Sequence, residues 1–215
     1  MLYNYRTVYE YGCQEIEIKR SKFIGHAKPV MSEEEAIDFI QSIKEKHKNA
    51  THNVYAYILG DRDEIQRYSD DGEPSGTAGV PVLNVIKSEG LKNTAVVVTR
   101  YFGGILLGAS GLIRAYVKGA KLGIEAAKIV EKILFKSLYV TIDYTILGTV
   151  QNDLLKNNFI IKNIDYTDKV ILNVYVPFVD KEKFVKYIVD LTNSRSVVKE
   201  GGDIYLYKKD DKYVE

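Results

Sequence analysis

The run TAVVVTRYFGGILLGASGLIRAYVKGA, residues 94–120, decides the fold. Thr94–Thr99 is a β-branched stretch with the character of a central strand; Arg100, Tyr101 and Phe102 close it, and Gly103-Gly104 turn the chain. From Ile105 onward the spacing predicts a helix. Arg114, Lys118, Lys121, Glu125 and Lys128 recur at helical steps, while Leu112, Ile113, Tyr116, Val117, Ala120, Ile124 and Ala127 take the other sides. Carried back to the helix start, the polar stripe meets Gly111, Gly108 and Gly104, so the first turns expose little side chain. A strand feeding a glycine turn and a helix gathers free N–H groups and the positive helix end in one place, a geometry suited to phosphate. Arg100 and Arg114 are read as flanking it, bounding one hollow. The run matches neither GxGxxG nor GxxxxGK[ST] and carries no nucleotide fingerprint. The competing reading is that the glycines serve tight turning and close packing, and that Lys121, Glu125 and Lys128 form a solvated face.

Upstream lies YSDDGEPSGTAGVPVL, residues 68–83. Gly60–Gly79 shows neither strand nor helix period and is expected as one long loop, with Gly72, Pro74, Gly76 and Gly79 arguing for tight turns over disorder. Asp70, Asp71 and Glu73 offer carboxylates that hold the turns, pair with Arg100 or bind a divalent ion. The ion ranks last, because the run lacks the alternating ligands and closing glutamate of an EF-hand. Farther out, Gln14–Ile18 and Ser21–Val30 read as strands. Ser32 with Glu35 makes a capping-box pattern before a helix over 33–48, its apolar positions Ala36, Ile37, Ile40 and Ile43. Asn53–Leu59 reads as a strand with His52 at its mouth.

Downstream, strand 135–143, helix 145–157, strands 159–166 and 170–176, helix 180–191 and strand 196–208, the last interrupted at Gly201-Gly202, follow the order βαββαβ of a ferredoxin-like split unit. The boundary is placed near Glu131, giving domains 1–131 and 132–215 of an α+β protein.

Composition narrows the function classes. The 215 residues are 46% apolar and 11% aromatic, ordinary for a packed protein. With 30 basic and 29 acidic residues the formal charge is +1, so no global field draws the chain to nucleic acid or membrane, and any such binding needs a local patch. A single cysteine, Cys13, excludes an internal disulfide framework and a cysteine-based zinc site, and fits a reducing cytosol. The opening MLYNYRTVYEYG lacks a signal-peptide core and no stretch reaches membrane-span length, so a cytoplasmic protein is expected. Ser75 and Ser110 have glycine neighbours, but the GASGL run misses the nucleophile elbow by one position and neither serine has an identified triad partner. His26, His47 and His52 form no HxxxH or His/Cys cluster, and only His52 falls beside the acidic loop.

SKFIGHA at 21–27, HNVYAY at 52–57, SDDGEPSGTAGVPVL at 69–83 and VVVTRYFGGILLGASGLIRAY at 97–116 resemble the YigZ/Impact family, in one order over residues 1 to about 131. The remaining βαββαβ segment is similar to the domain that bacterial members add. Ser110 and Val117-Lys118 depart from the family pattern. The resemblance implies an N-terminal α/β sandwich like domain IV of elongation factor G and a C-terminal ferredoxin-like domain similar to its domain V. It also implies contact with RNA, the ribosome or translation-control proteins. Eukaryotic members are described as regulators of a starvation-response kinase pathway, but they carry a further N-terminal interaction domain, and that role is not transferred here.

The functional expectation is a cytoplasmic, non-enzymatic, translation-linked regulator that binds RNA or a ribosome-associated partner. It uses the edge from Arg100 to Lys118 and the loop from Asp70 to Gly79. The expected binding residues are His52, Asp70, Asp71, Glu73, Thr77, Arg100, Gly103, Gly104, Gly108, Gly111, Arg114 and Lys118. Neither a catalytic residue nor a metal or cofactor is assigned. The alternative is an enzyme acting on a phosphorylated or nucleotide-like small molecule in the same cleft, with the acidic run holding a divalent ion. A protein-protein adaptor using the tyrosine-rich second domain is a third possibility.

Overall fold

The computed structural model describes residues 2–209 and 212–214. It is a two-domain α+β structure whose compact units divide at Glu131/Lys132, with Leu2–Asn4 belonging to the second unit.

The first unit is built on a five-stranded antiparallel sheet ordered β2-β3-β6-β4-β5. Its strands are β2 (Gly12–Ile18), β3 (Ser21–Pro29), β6 (Thr94–Tyr101), β4 (His52–Leu59) and β5 (Ile65–Ser69). The β-branched run is β6, central and buried along nearly its whole length, as a strand covered on both faces must be. Helix α1 (Glu33–Lys46) covers one face, its N-terminus capped where Ser32 Oγ accepts the Glu35 N–H at 3.1 Å. Phe39 packs with Ala36, Ile40 and Ile43 on the sheet, whereas Ile37, expected there, is 56% exposed. Helices α2 (Gly79–Ser88) and α3 (Ala109–Ala126) cover the other face, joining Phe23, Val54, Val96 and Val98 in one core. Helix α3 sits unusually near β3 because glycines face each other. A Cβ on Gly25 would lie 1.8 Å from the Gly119 carbonyl oxygen.

Three expectations change in this unit. Gly60–Gly79 is not one loop, since Ile65–Ser69 forms the edge strand β5. Its sequence is polar toward both sides and carries no period. Residues 79–88, given no element by the sequence pattern, form helix α2, and Pro81 falls in its first turn, where its missing N–H costs nothing. Helix α3 starts at Ala109 and not at Ile105, so residues 102–108 are loop.

The second unit contains the order β7 (Ile129–Ile142), α4 (Leu147–Lys156), β8 (Ile160–Tyr166), β9 (Val170–Pro177), α5 (Lys181–Leu191), β10 (Val197–Lys209), the βαββαβ arrangement. The sheet runs β11-β10-β7-β9-β8, where β11 is Lys212–Val214, and β1 (Asn4–Val8) pairs with β7. Helices α4 and α5 bury Val150, Leu154, Phe184 and Ile188 against Leu138, Leu172 and Val174. Strand β10 continues through Gly201-Gly202, where an interruption was expected.

Candidate functional site

The acidic loop is held by its own carboxylates. Asp70 Oδ2 accepts the Gly76 N–H at 2.9 Å, while Oδ1 accepts those of Ala78 at 3.0 Å and Gly79 at 2.7 Å. These last two open α2, which has no side-chain cap of its own at Ala78. A carboxylate at that point satisfies orphan donors and opposes the positive helix end. Asp71 Oδ2 accepts the Asn53 N–H at 2.7 Å and Oδ1 accepts from Lys44 Nζ at 2.9 Å, tying the loop to β4 and α1. The Thr77 hydroxyl donates to the Pro74 carbonyl at 2.7 Å.

Glu73 turns inward and is 8% exposed. Its Oε1 receives Arg100 Nη1 at 2.6 Å and the Tyr116 hydroxyl at 2.7 Å. Burial, reinforced by the bond to Glu73, holds the Tyr116 pKa far above the ordinary phenol value, so Tyr116 is a fixed donor. The Arg100 guanidinium is 5.5 Å from the Phe23 ring centroid and 5.3 Å from that of Phe102. Its Nη2 makes a 3.5 Å contact with Ser21 Oγ, and its buried Nε has no partner among the described residues.

His52 joins this group from the start of β4. Its Nδ1 lies 2.8 Å from the Asp71 carbonyl oxygen. A carbonyl only accepts, so the proton is on Nδ1, and Nε2, 3.8 Å from Glu73 Oε1, faces the carboxylate side. These side chains line a cleft of about 440 Å³ whose remaining walls are largely apolar, formed by Pro74, Phe102, Leu106, Leu107 and Leu112. Thr51 supplies a hydroxyl there, with Oγ1 accepting the Phe102 N–H at 2.9 Å. An imidazole oriented by a carbonyl can bind a ligand or accept a proton, but the described lining holds no serine or cysteine nucleophile. Ser75 and Ser110 are both exposed outside it.

A second, smaller cavity of about 180 Å³ lies on the other side of Leu107, lined by Ile18, Lys19, Gly111, Arg114, Ala115 and Lys118. Lys19 and Arg20 form the β2–β3 turn with φ of 46° and 62°. Gly103 brings the 102–108 loop against that turn, because a Cβ there would lie 1.9 Å from the Arg20 carbonyl oxygen. The Gly103 N–H donates to Ser21 Oγ at 3.2 Å. The glycine therefore seats protein against protein, and its amide is not left open for an anion.

Of the residues expected in one site, His52, Glu73, Arg100 and Gly108 line the cleft, while Gly111, Arg114 and Lys118 line the cationic cavity. Asp70, Asp71 and Thr77 are engaged inside the loop, and Gly103 and Gly104 shape the turn. The expectation that Arg100 and Arg114 bound a single hollow is overturned. Arg100 is 5% exposed and neutralised by Glu73, whereas Arg114 is exposed on α3. Sequence reasoning missed Tyr116, which sits among the helix's buried positions, and missed Lys19-Arg20, although their place between two predicted strands marked a turn.

The family model for the Impact N-terminal domain matches residues 19–124, and a domain of unknown function, DUF1949, matches residues 140–195. The chain is 49% identical over 208 residues to IMPACT family member YvyE of Bacillus subtilis, covering 97% of this chain and 96% of that one. It is 33% identical over 178 residues to IMPACT family member YigZ of Escherichia coli, covering 82% and 87%. To Protein IMPACT of Homo sapiens it is 38% identical over 95 residues, 42% of this chain and 29% of that protein. A crystal structure of a hypothetical protein superposes with a TM-score of 0.60 at 28% identity, covering 94% of this chain and 99% of that one.

Proposed function

The chain belongs to the Impact family, and from that premise we propose that it is a cytoplasmic, translation-linked protein that binds RNA on or near the ribosome. The contact surface is the edge where the β2–β3 turn meets the start of α3. One observation carries this reading: exposed Lys19, Arg114 and Lys118 line one small cavity, with exposed Arg20 next to Lys19 in the turn, and among the described residues none of the four has an ion-pair partner. In a chain of formal charge +1, such a local cluster is the electrostatic footprint that phosphodiester binding needs. Arg100, first read as a phosphate contact, instead holds the acidic loop in place behind that edge. The test is the salt dependence of affinity for single-stranded RNA. Arg114→Ala and Lys118→Ala should each weaken binding and flatten the slope of log affinity against log salt by about one. Affinity and slope unchanged in both variants would remove the reading, and nuclease-resistant retention of ribosomal proteins would replace RNA with a protein partner.

A second reading attaches to the cleft, favoured by the fixed tautomer of His52. With Nε2 left as an acceptor and the Arg–Glu pair already neutralised, the cleft suits a small molecule that offers a hydroxyl or N–H donor to the imidazole, as the sugar of a phosphorylated compound does. A melting-temperature screen of sugar phosphates with and without magnesium tests it, and a shift abolished by His52→Ala supports it. No shift with any phosphorylated compound would end it.

A further inference from the structure

The second unit holds an aromatic cavity of about 340 Å³ that the edge and the cleft do not involve. We infer that it takes a nucleobase. The inference deepens the RNA reading and rests on it only for the source of the base.

Phe135, Phe159, Tyr175, Phe184, Tyr187 and Tyr213 line the cavity; Phe135, Tyr175 and Phe184 are buried, and the half-buried rings of Phe159, Tyr187 and Tyr213 are the ones left open to a ligand. The walls are fixed before any ligand arrives. Phe159 meets Phe184 edge-on at 4.8 Å between centroids and stacks on Tyr187 at 5.7 Å, and Phe135 meets Tyr213 at 4.8 Å. The Tyr187 hydroxyl bonds Asp153 Oδ1 and accepts from Asn157 Nδ2, which pins that ring. A cavity of this size with rigid aromatic walls and few polar groups suits one planar ligand.

The polar groups select among planar ligands. Asn157 commits its Nδ2 to Asp153 and Tyr187, leaving Oδ1 as an acceptor. Asn158, at φ 60°, lines the same cavity; its backbone N–H donates to the Leu155 carbonyl, and its side-chain amide has no partner among the described residues. Acceptor and donor together match the hydrogen-bonding edge of a base, which a phenyl ring from a protein partner lacks. Lys183, its side chain 84% exposed and 3.2 Å from Asp180, places an ammonium group beside the rings for ribose or phosphate. Stacking on aromatic faces with amide contacts to the base edge is how unpaired RNA bases are held, and a free nucleotide offers the same chemistry.

The experiment is calorimetric titration of the full chain with AMP and with a short oligoadenylate. AMP is expected to bind, with affinity falling at least tenfold in Tyr213→Ala and several-fold in the side-chain-amide variant Asn158→Ala, each measured well below its own melting temperature. Arg114→Ala should leave AMP binding intact while weakening the oligonucleotide. AMP binding without oligonucleotide binding identifies a free nucleotide as the source and sinks the RNA reading alone. The inference is overturned if neither probe binds, if Tyr213→Ala and Asn158→Ala bind AMP as tightly as the parent, or if binding is lost in His52→Ala instead. Binding of phenylalaninamide in place of AMP would overturn it in favour of a protein side chain.

Discussion

Arg100 Nη1 and Glu73 Oε1 lie 2.6 Å apart with side chains only 6% and 3% exposed, so the acidic loop is anchored to the central strand by a desolvated ion pair. Such a pair is costly to break from one side, because the remaining charge stays buried, and much cheaper to replace from both sides.

Glu73→Leu alone is therefore expected to destabilise the chain by about 3–5 kcal/mol, and Arg100→Met by a similar amount. Glu73→Leu combined with Arg100→Met should cost far less than the sum of the single effects. Denaturant midpoints check this, and strict additivity would show that the two side chains are not energetically coupled.

Asp70→Ala removes the acceptor for the Gly76, Ala78 and Gly79 amides at once. Bonds to a charged acceptor contribute about 1.5–3 kcal/mol each, so the start of α2 should fray. Amide exchange at Gly76, Ala78 and Gly79 should accelerate by at least an order of magnitude relative to the centre of β6, with Asp70→Asn intermediate. Exchange rates unaltered at those amides would mean that the loop is held by its other contacts.

On the α1 face, burial, followed by the charges of His47 and Lys46, lowers the His26 pKa to about 4. His47 shifts the same way, mainly through burial. Its ring centroid is 5.2 Å from that of His26, whose Nδ1 lies 3.0 Å from the Tyr11 hydroxyl. The unfolded imidazole titrates near 6.5, so the unfolded state binds protons first as pH falls. Stability should be full above about pH 6.5 and decline toward pH 4, on the order of 3 kcal/mol from His26. His26→Leu should flatten the melting temperature between pH 7 and pH 4.5 relative to the parent, whatever its cost at pH 7. An equally steep pH slope in that variant would assign the acid sensitivity elsewhere.

Much of the scaffold was legible in local pattern. The β-branched run of β6, the Ser32–Glu35 cap of α1 and the βαββαβ order each rest on contacts within a few residues or on a single period. Helix α2 and strand β5 were not legible. The first depends on Asp70 capping its start from well upstream, and the second is an edge strand exposing both faces.

What the sequence by itself determined is the family, the two-part α+β architecture and the set of residues worth testing. Tertiary structure alone decided how those residues divide. The pairing of His52 with Arg100 across β4 and β6 and the inward turn of Glu73 put one arginine in a neutralised interior cleft, while the helical turn of α3 leaves Arg114 beside Lys19 and Lys118 in solvent. The physical reason is that a side chain's charge acts through its burial and its partner, and both are set by contacts between residues far apart in the chain.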